Sequence, residues 1–468
     1  MDDVHKKGIG KEESAEKDIN VQNQSVSRRK SPHWLKALGP GVITGASDDD
    51  PSGIATYSQA GAQFGFGMLW MALFQYPMMT VIQEMCARIG LITGNGLTAV
   101  IKRRYSKKVV FPLTSLLLIA NTINIGADIG AMAASVRLVF PQLPIIVATL
   151  SFTVFIVASQ VLVPYNRYVK ILKYLTMSLF AYIITAVIVG GNWNQLLASS
   201  IIPHIEFTPA FAMMFVAILG TTITPYVFFW QASQEAEENV VKGKIKEISE
   251  DKDSSSITAS NTRKQPKISK KEVKMMRSDT AIGMAFSQII MWAIITTTAG
   301  SLHAHNITYI QSVDQAAKAL QPLVKTFPNA GEIAKTIFAL GIIGTGLLAI
   351  PVMAGSSAYA LSDTFGWKQG LNKTFKQAKA FYLVIAASTV IGLWINFSSI
   401  DPIKALVYTA VINGVVAVPI LIAIMRIAND KRILKDRVNG QISNIIGWAT
   451  VIIMGVSVVI MFSTWGSR

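Results

Sequence analysis

The sequence predicts an all-α, polytopic membrane protein with eleven spanning helices, on three observations: its composition, its repeated apolar runs and the placement of its basic residues. Of its 468 residues 51% are hydrophobic and 15% charged, with a mean hydropathy of +0.42, where a soluble domain carries about a quarter charged residues. Runs of about twenty apolar residues, the length that crosses about 30 Å of hydrocarbon, recur near 38–61, 66–87, 110–136, 144–163, 171–190, 209–233, 280–302, 332–362, 380–397, 402–425 and 443–463. Helices are the expected form, because unpaired backbone groups are costly in lipid and the runs lack the alternation of barrel strands.

The third observation concerns topology. With a cytoplasmic amino terminus, 37 of the 43 Lys and Arg fall in segments on that side; only Arg137, Lys318, Lys325, Lys335, Lys404 and Arg468 fall on the other. A missing or spurious span would scramble this bias. The count predicts a carboxy terminus on the outside, and the location expected for such a chain is the plasma membrane. The net charge of +16 is then a product of topology, and the dispersed basic residues lack the aromatic-basic module that nucleic-acid binding needs.

The charged stretches divide the chain. Residues 1–37 are polar, with no apolar start to act as a signal peptide, and are expected to form a disordered cytoplasmic tail. Residues 234–279 mix both charges with Ser and Thr, cannot bury a core, and are expected to form a disordered cytoplasmic loop. Around that loop lie a first transmembrane unit, 38–190 (spans 1 to 5), and a second, 209–233 plus 280–425 (spans 6 to 10), followed by span 11 at 443–463. The single cysteine, Cys86, excludes a disulfide framework. The 18 methionines are scattered through apolar spans and read as packing.

Each unit opens on a span that contains a break: DDDPSG at 48–53 and GTTITPYVFF at 220–229. Proline removes a backbone donor and clashes with the preceding turn, so both helices are expected to unwind there, leaving free carbonyls and half-helix ends at mid-membrane. Paired interruptions in two halves point to an inverted-repeat transporter with its site at the midplane. Beside the first break stand Asp48, Asp49 and Asp50. A carboxylate at that depth costs about 2.5–3.5 kcal/mol on insertion scales, and Lys and Arg lie in loops or at span ends. A bound cation is the partner expected for Asp50; for Asp48 and Asp49 cation binding stands level with a bland role, facing an aqueous vestibule or capping the unwound ends.

These residues bring a family into view. GPGVITGASDDDPSG (39–53) resembles the first span of the Nramp family of divalent transition-metal transporters, TPYVFFWQAS (224–233) their sixth, and FALGIIGTGLLAIPVMAG (338–355) their eighth. The resemblance implies two inverted five-helix repeats, the fold shared with sodium-coupled amino acid transporters. It also implies metal contacts at Asp50, Gly53, Thr221 and Thr224, where the family has an aspartate, an asparagine, a residue lending its carbonyl and a methionine. Ser52, Asp49, Tyr226 and Asn413 are further contacts in this reading. No cofactor is implied, since the metal is cargo; the partners are a divalent cation and the bilayer, with no obligate protein partner.

Two side-chain ligands of the family are thus missing here, one of them its only sulfur. An all-oxygen site loses the preference of a thioether for softer ions, and small Gly53 and Thr224 leave room for an ion that keeps part of its water shell, as Mg²⁺ does. The substitutions resemble those of Nramp-related magnesium transporters, which implies Mg²⁺ uptake with Mn²⁺ also carried.

Proton coupling has little support in the sequence. His5, His33, His204, His303 and His305 lie in the tail or outer loops, so none is expected to shuttle protons inside the membrane. The family's two histidines fall on Tyr226 and Gln231, its acidic pair on Asn124 and Ala127, leaving Asp128 as either a displaced relay or a structural group. An inside-negative potential suffices for uptake, being worth about 4.6 kcal/mol to a divalent ion at 100 mV. Alternatives are a proton-coupled Mn²⁺ or Fe²⁺ transporter and, from another substrate class, an amino acid transporter, whose anionic substrate the acidic triplet would repel. No nucleophile–histidine pairing, nucleotide loop or metal–histidine cluster suggests an enzyme. Glu84, Glu235, Glu237 and Glu238, near span ends, are expected to be solvated or to interact with helix dipoles, and Asn413 to contact either the hydrated ion or a neighbouring helix.

Overall fold

The computed structural model describes residues 39–163, 176–244, 266–397 and 400–465; the predicted tail, the start of the predicted fifth span and the middle of the predicted loop lie outside them. In chain order the helices are α1 (Pro40–Asp48), α2 (Pro51–Phe64), α3 (Trp70–Thr93), α4 (Leu97–Arg104), α5 (Lys107–Val139), α6 (Ile145–Leu162), α7 (Phe180–Val189), α8 (Trp193–Ile201) and α9 (Pro209–Thr222). They continue with α10 (Pro225–Val241), α11 (Lys270–Ser301), α12 (Val313–Lys318), α13 (Gln321–Val324), α14 (Ala330–Phe365), α15 (Lys379–Gly392), α16 (Pro402–Ala428), α17 (Lys431–Leu434) and α18 (Gln441–Trp465). No strand occurs among the described residues.

Among the described residues, eight helical segments are long and apolar enough to cross a membrane, or ten when each of two bent pairs counts as one span. The predicted first span is cut at Asp49–Asp50 into two short helices, and α7 with α8 forms a pair bent by 118°. The outer face carries Phe111, Ile119, Val154, Leu383, Ile445 and Val459, all exposed, as lipid contact requires.

Local chemistry sets the breaks. Pro51, Pro209, Pro225 and Pro402 each occupy the first turn of a helix, where the missing N–H is no loss. Helix α11 starts at a capping box between Ser269 and Glu272. That cap corrects the predicted loop at its edges: residues 234–241 and 270–279 are helical. These turns are charged but rich in helix formers, so the helices continue beyond the apolar windows that hydropathy detects.

The two broken spans lie side by side and antiparallel, α1 touching α10 and α2 touching α9. Helix α11 packs against α1, α2 and α3, helix α14 against α5 and α10, and α16 against α9. Glycine permits the closest approaches: a Cβ on Gly45 would stand 2.2 Å from the Gly283 carbonyl oxygen, and one on Gly220 2.0 Å from that of Ala410. Segments that the charge count assigns to one side meet one another. Lys102 Nζ donates to the Thr364 carbonyl at 2.7 Å, Arg104 pairs with Asp430 at 3.0 Å, and Glu237 accepts the Asn372 N–H at 2.8 Å.

Candidate metal centre

An α-helical carbonyl accepts from the N–H four residues on, so Pro51 leaves the Ser47 carbonyl without its donor and Pro225 does the same to Thr221. The two breaks use these carbonyls differently. The Tyr226 hydroxyl donates to Ser47 O at 2.9 Å, which ties α10 to α1. Thr221 lies in the last turn of α9, where carbonyls run out of helical donors.

Asp50 sits in the first break as the N-cap of α2. Its Oδ1 accepts from Gly53 N at 2.7 Å and from Ser52 Oγ at 2.6 Å, and its Oδ2 accepts from Asn124 Nδ2 on α5 at 2.9 Å. It is 1% exposed and has no cationic partner among the described residues. Gly53 faces the second break: a Cβ there would lie 3.2 Å from Thr221 Oγ1, 3.4 Å from the Tyr57 ring and 3.5 Å from Asp50 Oδ1. The structure therefore brings Asp50, Ser52, Gly53 and Thr221 together. The room expected at Gly53 is partly taken by Thr221 and Tyr57.

Thr224 caps α10 by position, fully buried, and its hydroxyl has no protein partner. Neither does the amide oxygen of Asn124, nor that of Asn413, which stands on α16 beside the close approach to α9 and makes no hydrogen bond to Asp50. Asp128, one helical turn beyond Asn124 on α5, is fully buried with both carboxylate oxygens unpartnered. Buried polar atoms without partners are rare in folded proteins; here they gather on the helices around the breaks.

Asp48 and Asp49 are fully buried rather than open to a vestibule. Both converge on Ser287 of α11, whose hydroxyl lies 3.0 Å from Asp48 Oδ2 and 3.1 Å from Asp49 Oδ1. One hydroxyl hydrogen serves one carboxylate at a time, and Asp48 Oδ1 and Asp49 Oδ2 have no partner. Asp49 turns toward α11, while Asp50 faces α5.

Several polar residues are more deeply engaged than the sequence suggests. Glu84 is buried and pairs with Arg88 at 3.0 Å and with Arg277 at 2.8 Å; Arg88 itself is buried near the end of α3, just past the predicted second span, and donates to the Arg437 carbonyl and to Asn439. Glu235 is buried, accepting from Gln231 Nε2 at 3.1 Å, and Gln231 Oε1 accepts from the Thr44 hydroxyl on α1 at 2.5 Å. Glu237 holds Tyr359 and the backbone after α14, and Glu238 pairs with Lys242. Solvation fails as an account of Glu84 and Glu235 because neighbouring helices cover them.

Sequence reasoning missed Met353. Its sulfur on α14 lies 3.0 Å from Asn124 Nδ2, the same amide that holds Asp50. Met353 lies inside the stretch FALGIIGTGLLAIPVMAG (338–355) that resembles the family's eighth span, the one signal that could have singled it out, but it stands 303 positions beyond Asp50. Among the described residues, no three His, Cys, Asp or Glu side chains form a metal-binding group, so an ion here would rely on hydroxyl, amide and carbonyl oxygens beside one carboxylate.

Antiparallel broken spans meeting at a buried carboxylate, inside a bundle of apolar helices, define a multi-pass membrane transporter. Residues 41–464 match the family model for Nramp, natural resistance-associated macrophage protein-like, and the chain belongs to that family. Its members are transporters rather than enzymes; the metal ion is their substrate, and no cofactor is needed. Similar solved structures include a manganese transporter from Eremococcus coleocola in complex with an aromatic bis-isothiourea substituted compound, at 18% identity and a TM-score of 0.68, covering 94% of this chain and 90% of that one. A mutant of the same transporter aligns at 17% identity and a TM-score of 0.65, over 93% and 88% of the two chains. Mhp1, a nucleobase-cation-symport-1 family transporter in a closed conformation with bromovinylhydantoin bound, aligns at 12% identity and 0.53, over 91% and 93%. At these identities the likeness establishes the fold.

Proposed function

We propose that this protein imports Mg²⁺, with Mn²⁺ also carried, by alternating access, driven by membrane potential and without proton coupling. The observation that carries this reading is the donor set at the breaks: one carboxylate, Asp50, with Ser52, Thr221 and Thr224 and no side-chain ligand at Gly53. A hard ion that sheds water reluctantly binds through one or two carboxylates and retains several waters, for which unpartnered hydroxyl and amide oxygens are suitable second contacts. Tyr226, Asp49 and Asn413 would act from the edge of this set. In the proposed topology the protein lies in the plasma membrane with its amino terminus cytoplasmic and its carboxy terminus outside. The bridges from Tyr226 to Ser47 and from Thr44 to Gln231 join α1 to α10, so access along that path requires both to open.

Met353 and Asp128 favour a second reading, a proton-coupled Mn²⁺ or Fe²⁺ transporter, because they put a thioether and a buried carboxylate near Asp50. One experiment separates the two: cation flux into proteoliposomes at fixed voltage, with pH recorded inside, for Mg²⁺, Mn²⁺ and Ca²⁺. The proposal expects Mg²⁺ flux that follows voltage with no accompanying acidification. Metal-dependent acidification that disappears in Asp128→Asn, or absence of Mg²⁺ flux, overturns it.

A further inference from the structure

The end of the bundle where the basic segments meet contains a groove of about 730 Å³ that the transport site does not use, lined by Arg104, Tyr105, Arg426, Lys431, Arg432 and Trp448 among others. Its one acid, Asp430, is already engaged, accepting from Arg104 at 3.0 Å and from Arg432 at 3.2 Å. Arg426 is exposed and, like Lys431, forms no ion pair with a described residue. Four cations against one carboxylate leave the groove strongly positive, with two of its cations free to meet an anion.

The groove's position selects the kind of anion. Trp448, 39% exposed, stands on α18, and the same helix then presents Ile452, Val456 and Val459 outward. From Trp448 to Val459 the helix rises about 16 Å at 1.5 Å per residue, close to the depth of one leaflet of a hydrocarbon core of about 30 Å. A tryptophan just over one turn inside the start of the eleventh span, after exposed Ile442 and Ile445, suits the interfacial belt, and basic pockets between spanning helices suit phosphate headgroups. We infer that this groove holds the phosphate of an anionic phospholipid, with guanidinium groups on its oxygens and an acyl chain along α18. A free phosphate would satisfy the cations but leave the apolar continuation without a role.

The test uses the full-length protein in detergent, titrated with phosphatidylglycerol and read by native mass spectrometry. Phosphatidylglycerol should be retained in preference to phosphatidylcholine. Arg426→Ala with Lys431→Ala should weaken retention about thirtyfold, the effect expected for two cations at a membrane surface. Lys376→Ala with Lys379→Ala, at exposed lysines in another segment assigned to the same side, should leave it unchanged. Equal retention of phosphatidylcholine, wild-type retention by the Arg426/Lys431 variant, equal loss in the Lys376/Lys379 variant, or full displacement by soluble glycerol phosphate each overturns the inference. Should the double variant fail to purify as a single species, Arg426→Gln alone, at an exposed position, carries the same comparison.

Discussion

Replacing Asp50 by Asn separates what the carboxylate does for the helix from what its charge does for the ion. Asp50 accepts three hydrogen bonds, from Gly53 N, Ser52 Oγ and Asn124 Nδ2, at 2.7, 2.6 and 2.9 Å. Asparagine caps a helix about as well as aspartate, so Asp50→Asn keeps the bonds to its Oδ1. The new amide nitrogen would oppose Asn124 Nδ2, but a half-turn of the Asn124 amide presents its oxygen, which has no partner now. That rotation gives up the contact to Met353, at a cost of about 1 kcal/mol. Asp50→Ala loses the cap, about 1 kcal/mol, and strands the Ser52 hydroxyl and the Asn124 amide at about 1–3 kcal/mol each. The total of about 3–7 kcal/mol is a large part of a typical stability of about 5–15 kcal/mol, so inactivity of the alanine variant would be ambiguous. Loss of one partner from a buried charge pair costs about 2–5 kcal/mol of binding, or about thirtyfold to several-thousandfold in affinity. Voltage-driven Mg²⁺ flux in proteoliposomes, measured beside thermal stability in detergent, should show Asp50→Asn folded nearly as well as wild type and without flux above background. Near-normal flux from that folded variant refutes the assignment of Asp50 to the ion.

Three further substitutions address selectivity. Thr224→Met places a thioether where the hydroxyl is and should raise Mn²⁺ flux over Mg²⁺ flux about tenfold, one step of about 1.4 kcal/mol; an unchanged ratio removes Thr224 from the ligand set. Gly53→Asn must push against Thr221 Oγ1 and the Tyr57 ring, a crowding that should cost about 1–3 kcal/mol and be relieved by adding Thr221→Ala; a thermal melt of the single variant at the wild-type temperature would show that the space is already there. Met353→Leu preserves volume while removing sulfur. On the Mg²⁺ reading the ratio of the two fluxes holds, and a selective fall in Mn²⁺ flux would instead make Met353 a ligand.

The legibility of this protein follows the range of the forces involved. Pro51 and Pro225 act on the turn that precedes them, so both breaks are visible in short stretches of sequence, as is the bias of basic residues; that Asp50, rather than Asp48 or Asp49, caps the second half-helix is not. Helix ends are less visible where they leave the membrane: α10 runs to Val241 and α11 begins at Lys270, through charged turns that a hydropathy reading assigns to a loop. Least visible are partners brought from afar. Asn124 lies 74 positions from Asp50 and 229 from Met353, Ser287 more than two hundred from Asp48 and Asp49, and Arg88 meets Arg437 and Asn439 across 349 and 351 positions.

The long-range contact at Asn124 also alters the account of selectivity. Motif comparison attributes ion choice to Gly53 and Thr224, the two positions where family ligands are missing. Yet one amide nitrogen, Asn124 Nδ2, touches both the hard oxygen of Asp50 and the soft sulfur of Met353. While it donates to both, each has less capacity left for a cation. A half-turn of the amide would release the two together and present an amide oxygen to the ion, a hard donor suited to Mg²⁺. On the proposed function, discrimination between hard and soft ions would depend on how Asn124 is held as well as on which ligands the breaks supply.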